Sequence, residues 1–443
     1  MNAAGRRHQP GPPLPARDDG DVIGLVKSRE THRAIETVFR IERARIIAVL
    51  TRFARDVGLA EEFAQDALIA ALRHWPDTGV PDKPGAWLIA AAKRRAVDHF
   101  RRAKMAEGKI ALLGVEAESM VGLPDLDDDI GDEMLDLMFI ACHPVLPPEA
   151  RVALTLRLVG GLTTEEIARA FLVSEQAMAQ RIVRAKRSLA EAQLAFERPQ
   201  GTERTERLSS VLEILYLVFN EGYSATKGED WMRPQLCNEA LRLGRILAGL
   251  APSESEVHGL VSLMELQASR LAARIDAAGM PVLLLDQNRA RWDRLLIKRG
   301  LAALARAEKL SARAGPYTLQ ATIAACHARA RTPEETEWVR IAALYAALAA
   351  RIPSPVVELN RAVAIAMAFG PAAGLELADQ LASDVALRGY HLLPAVRADL
   401  LMKLGRLIEA GAEFKRAASL TQNDRERALL LQRAQSCDEQ RLA

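Results

Sequence analysis

Apolar residues recur at steps of three and four along almost the whole chain, and this periodicity most constrains the possible folds. Such spacing places the apolar side chains on one face of an α-helix. No segment shows the sustained alternation of β-branched residues that predicts a strand. Ala, Leu and Arg are abundant, whereas aromatic residues make up only 5% of the chain. The sequence therefore predicts an all-α fold, and its 443 residues suggest two to three domains.

The N-terminal residues differ from the rest, because prolines crowd positions 10–15 and no apolar run follows. We expect residues 1–29 to form a disordered lead and not a signal peptide. No stretch approaches the roughly 18 apolar residues that span a bilayer, which predicts a cytoplasmic protein with no membrane partner. The cysteines, Cys142, Cys237, Cys326 and Cys437, form no close pair. They are expected to be buried thiols, with no metal site and no cofactor.

Three helices are predicted near residues 35–53, 60–74 and 85–105, the second ending at Trp75-Pro76. Within the third, residues 87–104 carry six basic residues and one acid, a net charge of +5 that suits a phosphate backbone. Trp87 and Phe100 can stack on unpaired bases or can anchor the helix in the core. The alternative for the basic face is a merely solvated surface.

Acidic and amide residues cluster on the helix before the basic one, at Glu61, Glu62, Gln65 and Asp66. Their charge opposes that of the basic helix, and they favour an exposed face or acids placed near a helix N-terminus. A second acidic feature follows the basic helix, since residues 114–136 contain nine acids and no Lys or Arg. With Gly122 and Pro124, this stretch is typical of a linker.

A helix-turn-helix is predicted within residues 162–193. Thr163 and Glu166 have capping-box spacing at the start of a short helix, and Ser174 can cap a second helix. The second helix has one apolar stripe, formed by Met178, Ile182, Ala185 and Leu189, and a face of Gln and Arg residues. Gln can pair with adenine and Arg with guanine in the major groove. The alternative is an ordinary amphipathic hairpin.

The turn between these helices lacks the usual glycine, since Leu172 stands at that position. A non-glycine residue in a left-handed conformation costs about 1–2 kcal/mol. The sequence therefore predicts the two helices more firmly than the turn between them.

These segments, in this order, resemble the extracytoplasmic-function sigma factors, the smallest members of the sigma-70 family. Residues 61–67 look like region 2.2, residues 85–102 like regions 2.3 and 2.4, and residues 162–189 like region 4.2. Arg94 departs from the family, where many members have Asn, and so does Leu172, where many have Gly. Both departures lie on the DNA side, which puts the promoter preference in doubt.

The resemblance implies that the chain binds core RNA polymerase, at the β′ clamp helices and the β flap, and reads promoter DNA. It implies no catalytic residue and no enzyme activity. The implied polymerase contacts are Glu61, Glu62, Gln65 and Asp66. The implied contacts to the −10 element are Trp87, Lys93, Arg94, Arg95, Asp98, His99, Arg101 and Arg102. The implied contacts to the −35 element are Ser174, Gln176, Ala177, Gln180, Arg181, Arg184, Lys186 and Arg187.

In these terms residues 30–106 are region 2, residues 107–133 an acidic linker, residues 134–196 region 4 and residues 205–443 a C-terminal regulatory domain. The resemblance implies that the linker threads the electropositive RNA path of the polymerase; a solvated tether is the alternative. The whole chain resembles the sigma subgroup with a tetratricopeptide-like extension, which is thought to replace an anti-sigma partner and so implies contact with the sigma core.

A weak repeat supports helical hairpins in the extension, because Gly370 and Gly405 each separate two helical segments and lie 35 residues apart. A plain helical bundle is the alternative to such a repeat. For the whole chain, the rival function is a helix-turn-helix regulator with a helical-repeat protein-binding domain that does not dock on polymerase. An enzyme within the extension is disfavoured, since it contains no catalytic motif or metal spacing.

Overall fold

A computed structural model describes residues 19–106, 130–192 and 199–442. The chain divides into two compact units, residues 1–128 and 129–443. Helices make up nearly all of the regular structure in the described ranges, which confirms the all-α prediction. No helix among the described residues is both long and apolar enough to cross a membrane.

The first unit contains α1 (Asp19–Ala54), α2 (Val57–Thr78) and α3 (Pro84–Ala106). Apolar side chains from all three helices form its core, with Ile35, Leu50, Trp75 and Leu88 fully buried. Asp56 caps α2 by accepting a hydrogen bond from the backbone N–H of Leu59 at 2.9 Å. This short connection after α1 fixes the start of α2.

Two boundaries in this unit differ from those predicted. α1 begins at Asp19 and so includes residues 19–29 of the predicted lead, since the chain has no proline between Pro15 and Pro76. Residues 1–18 lie outside the described residues. α2 continues through Pro76 to Thr78 and ends where Gly79 adopts a φ of 82°. The missing N–H of a proline removes only one hydrogen bond in a last turn, so the helix continues past it.

The second unit begins with four helices: α4 (Ile130–Ala141), α5 (Pro148–Leu158), α6 (Thr164–Ala170) and α7 (Glu175–Glu191). The start of α4 takes residues 130–133 out of the predicted linker. Residues 107–129 lie outside the described residues, so the threading of the linker stays a prediction. All four cysteines of the chain are buried free thiols, as predicted.

The rest of the second unit is a series of antiparallel helical hairpins. Its helices are α8 (Gly201–Tyr223), α9 (Pro234–Leu250), α10 (Ser255–Ala268), α11 (Arg294–Leu310), α12 (Pro316–Arg329), α13 (Trp338–Ala349), α14 (Pro355–Phe369), α15 (Pro371–Leu381), α16 (Leu392–Lys403), α17 (Leu407–Leu420) and α18 (Asp424–Leu442). Gly370 and Gly405 have positive φ values, 100° and 75°, in the turns between paired helices. Both turns of the predicted repeat are therefore present.

The two ends of this helical series meet in a contact that the sequence did not predict. Strand β1 (Lys227–Gly228) pairs in parallel with β2 (Gln422–Asn423). The buried Asn423 side chain donates from Nδ2 to the carbonyl oxygens of Ala225, at 3.1 Å, and Asp230, at 2.8 Å. We call this strand pair with its asparagine the C-terminal clasp. It fixes the loop after α8 to the segment before α18.

Candidate nucleic-acid interface

The helix-turn-helix starts and ends where its capping residues require. The Thr163 hydroxyl accepts a hydrogen bond from the backbone N–H of Glu166 at 3.1 Å, and the Glu166 carboxylate accepts one from the backbone N–H of Thr163 at 2.8 Å. Ser174 caps α7 by accepting from the N–H of Ala177 at 3.2 Å. The predicted stripe of Met178, Ile182, Ala185 and Leu189 is buried. Both caps and the stripe are confirmed.

The opposite face of α7 is exposed and polar. Gln176, Gln180, Arg184 and Arg187 are exposed, while Arg181 and Lys186 are half-buried on its flanks. Gln180 accepts a hydrogen bond from Arg184 at 3.2 Å, and Arg187 pairs with Glu191 at 2.7 Å. Both contacts are solvent-exposed and weak, so a base or a phosphate can replace them. Ser174 and Ala177 are exposed at the N-terminal end of the same helix.

Val183 was missed by the sequence reasoning. Its side chain is 64% exposed and lies beside Gln180 on the outer face of α7. An apolar side chain in this position can contact the methyl group of a thymine. The clue in the sequence is that valine stands outside the buried stripe.

The turn of the helix-turn-helix adopts the strained conformation that its missing glycine implies. Leu172 has a φ of 50°, in the left-handed region. Its Cδ1 lies against Gly228, where an added Cβ would come within 2.5 Å. Because Gly228 belongs to β1, the extension supports this turn directly.

Two arginines join the helix-turn-helix and its preceding helices to the extension. The buried Arg151 on α5 donates to Ser210 at 2.7 Å and to Glu213 at 3.0 Å, both on α8. Ser210 in turn donates to the carbonyl oxygen of Cys142 at 2.5 Å. On α9, Arg242 donates to the carbonyl oxygens of Val159, at 3.3 Å, and Gly160, at 3.4 Å. The predicted contact between the C-terminal domain and the sigma-like part is thus present at the helix-turn-helix unit.

The buried Cys142 next to these contacts is not a reactive thiol. Burial raises the pKa of the Cys142 thiol to about 12, and its Sγ lies 3.2 Å from the hydroxyl oxygen of Thr155. A thiol with so high a pKa stays protonated and unreactive. Across residues 19–106, 130–192 and 199–442, no group of three or more His, Cys, Asp or Glu residues is arranged to hold a metal ion.

The basic face of α3 is exposed as a nucleic-acid surface requires. Arg94, Arg95, Asp98, His99, Arg101 and Arg102 are exposed, and Lys93 is half-buried. Arg94 and Arg102 donate from Nε to backbone carbonyl oxygens one turn back, which leaves the rest of each guanidinium available. No acidic side chain of the described chain forms an ion pair with these arginines. The face therefore keeps its positive charge for a partner.

The aromatic side chains of α3 divide between the core and the surface. Trp87 is half-buried against Trp75, with ring centroids 5.3 Å apart. Phe100 is 36% exposed and meets Phe53 and Phe63 edge to face. Trp87 thus has one part in the core and one part accessible, which combines the two alternatives given by the sequence.

The acidic group on α2 is not one face, and this corrects the expectation of four exposed residues. Glu62, Gln65 and Asp66 are exposed and border a shallow groove with Arg95 and Arg102. Glu61 instead lies inside the unit, 7% exposed, and forms a buried ion pair with Arg43 of α1. Glu61 therefore holds α1 and α2 together, since a buried carboxylate needs a cationic partner.

Comparison with known families agrees with this order of elements. Residues 38–105 match the family described as Sigma-70 region 2, and residues 136–189 match the family described as Sigma-70, region 4. Residues 207–308 match DUF6596, a family of unknown function. The matched regions contain α2, α3 and the helix-turn-helix, followed by the first hairpins of the extension.

Whole-chain relatives extend this result. The chain is 44% identical over 397 residues to the uncharacterized protein R00370 of Rhizobium meliloti (strain 1021), covering 88% of this chain and 92% of that protein. It is 29% identical over 160 residues to the ECF RNA polymerase sigma factor SigK of Mycobacterium sp. (strain KMS), which is 34% of this chain and 77% of SigK.

The probable ECF RNA polymerase sigma factor SigI of Mycobacterium tuberculosis (strain ATCC 25618 / H37Rv) is 26% identical over 167 residues. This match covers 37% of this chain and 57% of SigI. Both sigma-70 regions, in their usual order, precede the helical hairpins. The chain therefore belongs to the extracytoplasmic-function sigma factors of the sigma-70 family and carries a C-terminal helical extension.

Proposed function

We propose that this chain binds core RNA polymerase and directs promoter-specific initiation by reading the −10 and −35 elements. The observation that carries the proposal is the set of exposed faces on three helices. α2 presents Glu62, Gln65 and Asp66, whereas α3 and α7 present exposed arginines. An acidic face suits a protein partner, and the two basic faces suit DNA.

The sigma-70 relationship supports a proposed partner for each face. Under this proposal α2 docks on the β′ clamp helices, with Glu61 as a supporting residue rather than a contact. The exposed residues of α3, with Trp87, read the −10 element. The outer face of α7, with Val183 added to the predicted residues, reads the −35 element, and its unit contacts the β flap.

The double charge reversal Glu62→Lys with Asp66→Lys tests the docking. Both side chains are exposed, so the fold is expected to survive while binding to core polymerase is lost. A matched control reverses Glu308 and Glu376, which are exposed acids of the extension. Unchanged affinity for core polymerase in the first variant, measured beside the control, contradicts the docking. DNA binding without any polymerase binding by the wild type supports the rival, a helix-turn-helix regulator.

We also propose that the extension holds the helix-turn-helix in its DNA-reading form. The contacts of Arg151 and Arg242 grip the inner side of this unit, and Gly228 backs the turn. The outer face of α7 remains exposed in the same arrangement, which favours bracing over masking. Truncation after about Gln200 should therefore reduce run-off transcription. Unchanged output contradicts the coupling, and higher output shows that the extension inhibits.

A further inference from the structure

Three arginines of the extension alternate with aromatic rings near the end of α8. Arg289 lies 4.9 Å from the ring centroid of Trp292, and Arg270 lies 5.9 Å from the same ring. Arg270 also lies 5.7 Å from the ring of Tyr223, which Arg274 covers at 3.7 Å. We call Arg270, Arg274 and Arg289 the arginine row. Its members come from the segment after α10 and from the segment before α11, so the fold brings them together.

No carboxylate balances the arginine row. Across the described parts of the chain, none of its members forms an ion pair with an acidic side chain. The acids on neighbouring helices are engaged elsewhere, Glu265 with Arg245 and Glu337 with Arg340. Glu334 and Glu335 act on Arg289 only at longer range. The positive charge of the row is therefore not held in an ion pair within the described residues, which suits an anionic ligand.

The titration behaviour of the cluster agrees with an uncompensated positive field. Burial lowers the pKa of Arg289, and the charge of Arg270 lowers it further. Burial likewise lowers the pKa of Arg274, and Arg270 again adds to the effect. The neighbouring His327 has its pKa lowered to about 3, first by burial and then by Arg270 and Arg289. The charge of Arg270 thus lowers the pKa of all three groups.

Buried polar atoms without partners surround the row. Trp292 is 3% exposed, and its Nε1–H has no acceptor among the described residues. The Nε–H groups of Arg270 and Arg289 also lack an acceptor, although Arg289 donates through Nη1 to the carbonyl oxygens of His327 and Ala330 and through Nη2 to the hydroxyl of Thr336. Buried N–H groups nearly always have an acceptor. The three unpartnered N–H donors, on Trp292, Arg270 and Arg289, suit a ligand with several acceptor oxygens.

We propose that the extension binds a small oxyanion, a phosphate or carboxylate group, at the arginine row, with the Trp292 N–H as an additional donor. Guanidinium groups bind both kinds of oxyanion through paired N–H donors. The rings of Tyr223 and Trp292 are already covered by guanidinium groups, so they hold the arginine row in place. Tyr223 ends the helix that leads into the loop of Gly228, so the ligand would bind beside the support of the helix-turn-helix turn.

Binding is tested on the full-length protein with inorganic phosphate and with citrate, each against sodium chloride at equal ionic strength. We expect a saturable rise in melting temperature with phosphate, with citrate or with both, and the arm that responds identifies the oxyanion. Arg270→Gln is the main variant, because Arg270 donates no side-chain hydrogen bond within the described residues. The apparent Kd of this variant should be at least about tenfold larger than that of the wild type. The apparent Kd of the control, the exposed Arg299→Gln, should equal that of the wild type.

A second variant, Trp292→Phe, keeps an aromatic ring and removes the unpartnered N–H together with the rest of the pyrrole ring. It should weaken binding several-fold, and it carries the test if Arg270→Gln fails to fold. The proposal is overturned if a folded variant, Arg270→Gln or Trp292→Phe, shows the same saturable rise in melting temperature as the wild type. A wild type that responds to phosphate and citrate no more than to sodium chloride overturns it as well.

Discussion

Leu172 holds a left-handed conformation directly against Gly228, so the turn of the helix-turn-helix is backed by the extension. Gly228 itself has a φ of 96°, and a Cβ there would lie 2.5 Å from the Cδ1 of Leu172. Leucine in this turn thus replaces the flexibility of glycine with a packing contact. The contact couples the stability of the turn to the position of β1.

Gly228→Ala is expected to destabilise the second unit in two ways. The positive φ alone costs about 1–2 kcal/mol, and overpacking against Leu172 adds about 1–3 kcal/mol. The control is Gly279→Ala, which has a φ of 76° and nothing within 4 Å of the added Cβ. Chemical denaturation measures both variants. Equal losses of stability in the two variants would show that the contact with Leu172 contributes nothing. Adding Leu172→Ala to Gly228→Ala should recover most of the difference between Gly228→Ala and Gly279→Ala.

Arg151→Ala should lower the free energy of unfolding of the second unit by about 1–3 kcal/mol, because two hydrogen bonds to α8 are lost from a buried site. Arg207→Ala is the control, since its ion-pair partner among the described residues is the mostly exposed Glu203 and such pairs contribute little. Denaturant titration followed by circular dichroism compares the two. A loss at Arg207 as large as that at Arg151 would mean that the buried link to α8 has no special role.

Glu61→Gln and Glu62→Gln should separate a structural acid from an exposed one. Glu61 is buried against Arg43, so its neutralisation leaves a weakened partner for a buried cation and should cost about 1–3 kcal/mol. Glu62 is exposed, and its neutralisation should change stability by less than about 0.5 kcal/mol. Thermal unfolding of the two variants checks this. Similar melting temperatures would contradict the structural assignment of Glu61.

Arg184→Ala and Lys186→Ala should affect DNA binding differently. A base contact by Arg184 is worth about 1–3 kcal/mol, so its loss should relax discrimination at one base pair of the −35 element. Lys186 lies half-buried on the flank, where a phosphate contact is expected, so its loss should weaken all sequences alike and reduce the salt dependence. Competition binding with single-base promoter variants at several salt concentrations separates these effects. Identical behaviour would show that the roles are wrongly assigned.

His327 predicts a stability that falls in acid. Its folded pKa is about 3, below the ordinary value of 6.5, because of burial and of Arg270 and Arg289. The unfolded chain therefore takes up the proton first, and stability is lost as the pH falls below about 6.5. Between pH 8 and pH 5 this residue should account for about 2 kcal/mol. Measured by urea unfolding, His327→Gln should lose less stability between pH 8 and pH 5 than the wild type does. The control His258→Gln should lose as much stability as the wild type.

Local patterns in the sequence sufficed where local interactions decide the structure. The caps at Thr163 and Ser174 and the buried stripe of α7 depend on neighbours within one or two turns, so they could be predicted. The burial of Glu61 could not, because it depends on Arg43, which lies 18 positions earlier on another helix. The support of Leu172 by Gly228 also depends on tertiary packing that periodicity does not encode.

The arginine row and the C-terminal clasp show the same limit more strongly. Arg270 and Arg289 look like ordinary surface residues in the sequence, because nothing local reveals the ring of Trp292 between them. Asn423 meets Ala225 across 198 positions. Pairings over such distances follow from the closure of the whole helical series, which a reading by segments does not reach.

The C-terminal clasp makes the support of the helix-turn-helix a late event in protein synthesis. A ribosome completes Leu172 and Gly228 long before it reaches Asn423, so the loop that carries Gly228 must wait for its last hydrogen bonds. A chain interrupted before residue 423 contains every residue that we propose to read DNA and still lacks this strand pair. The turn is therefore fully supported only after translation is complete. Unfinished chains differ from finished ones because they lack the hydrogen bonds of Asn423.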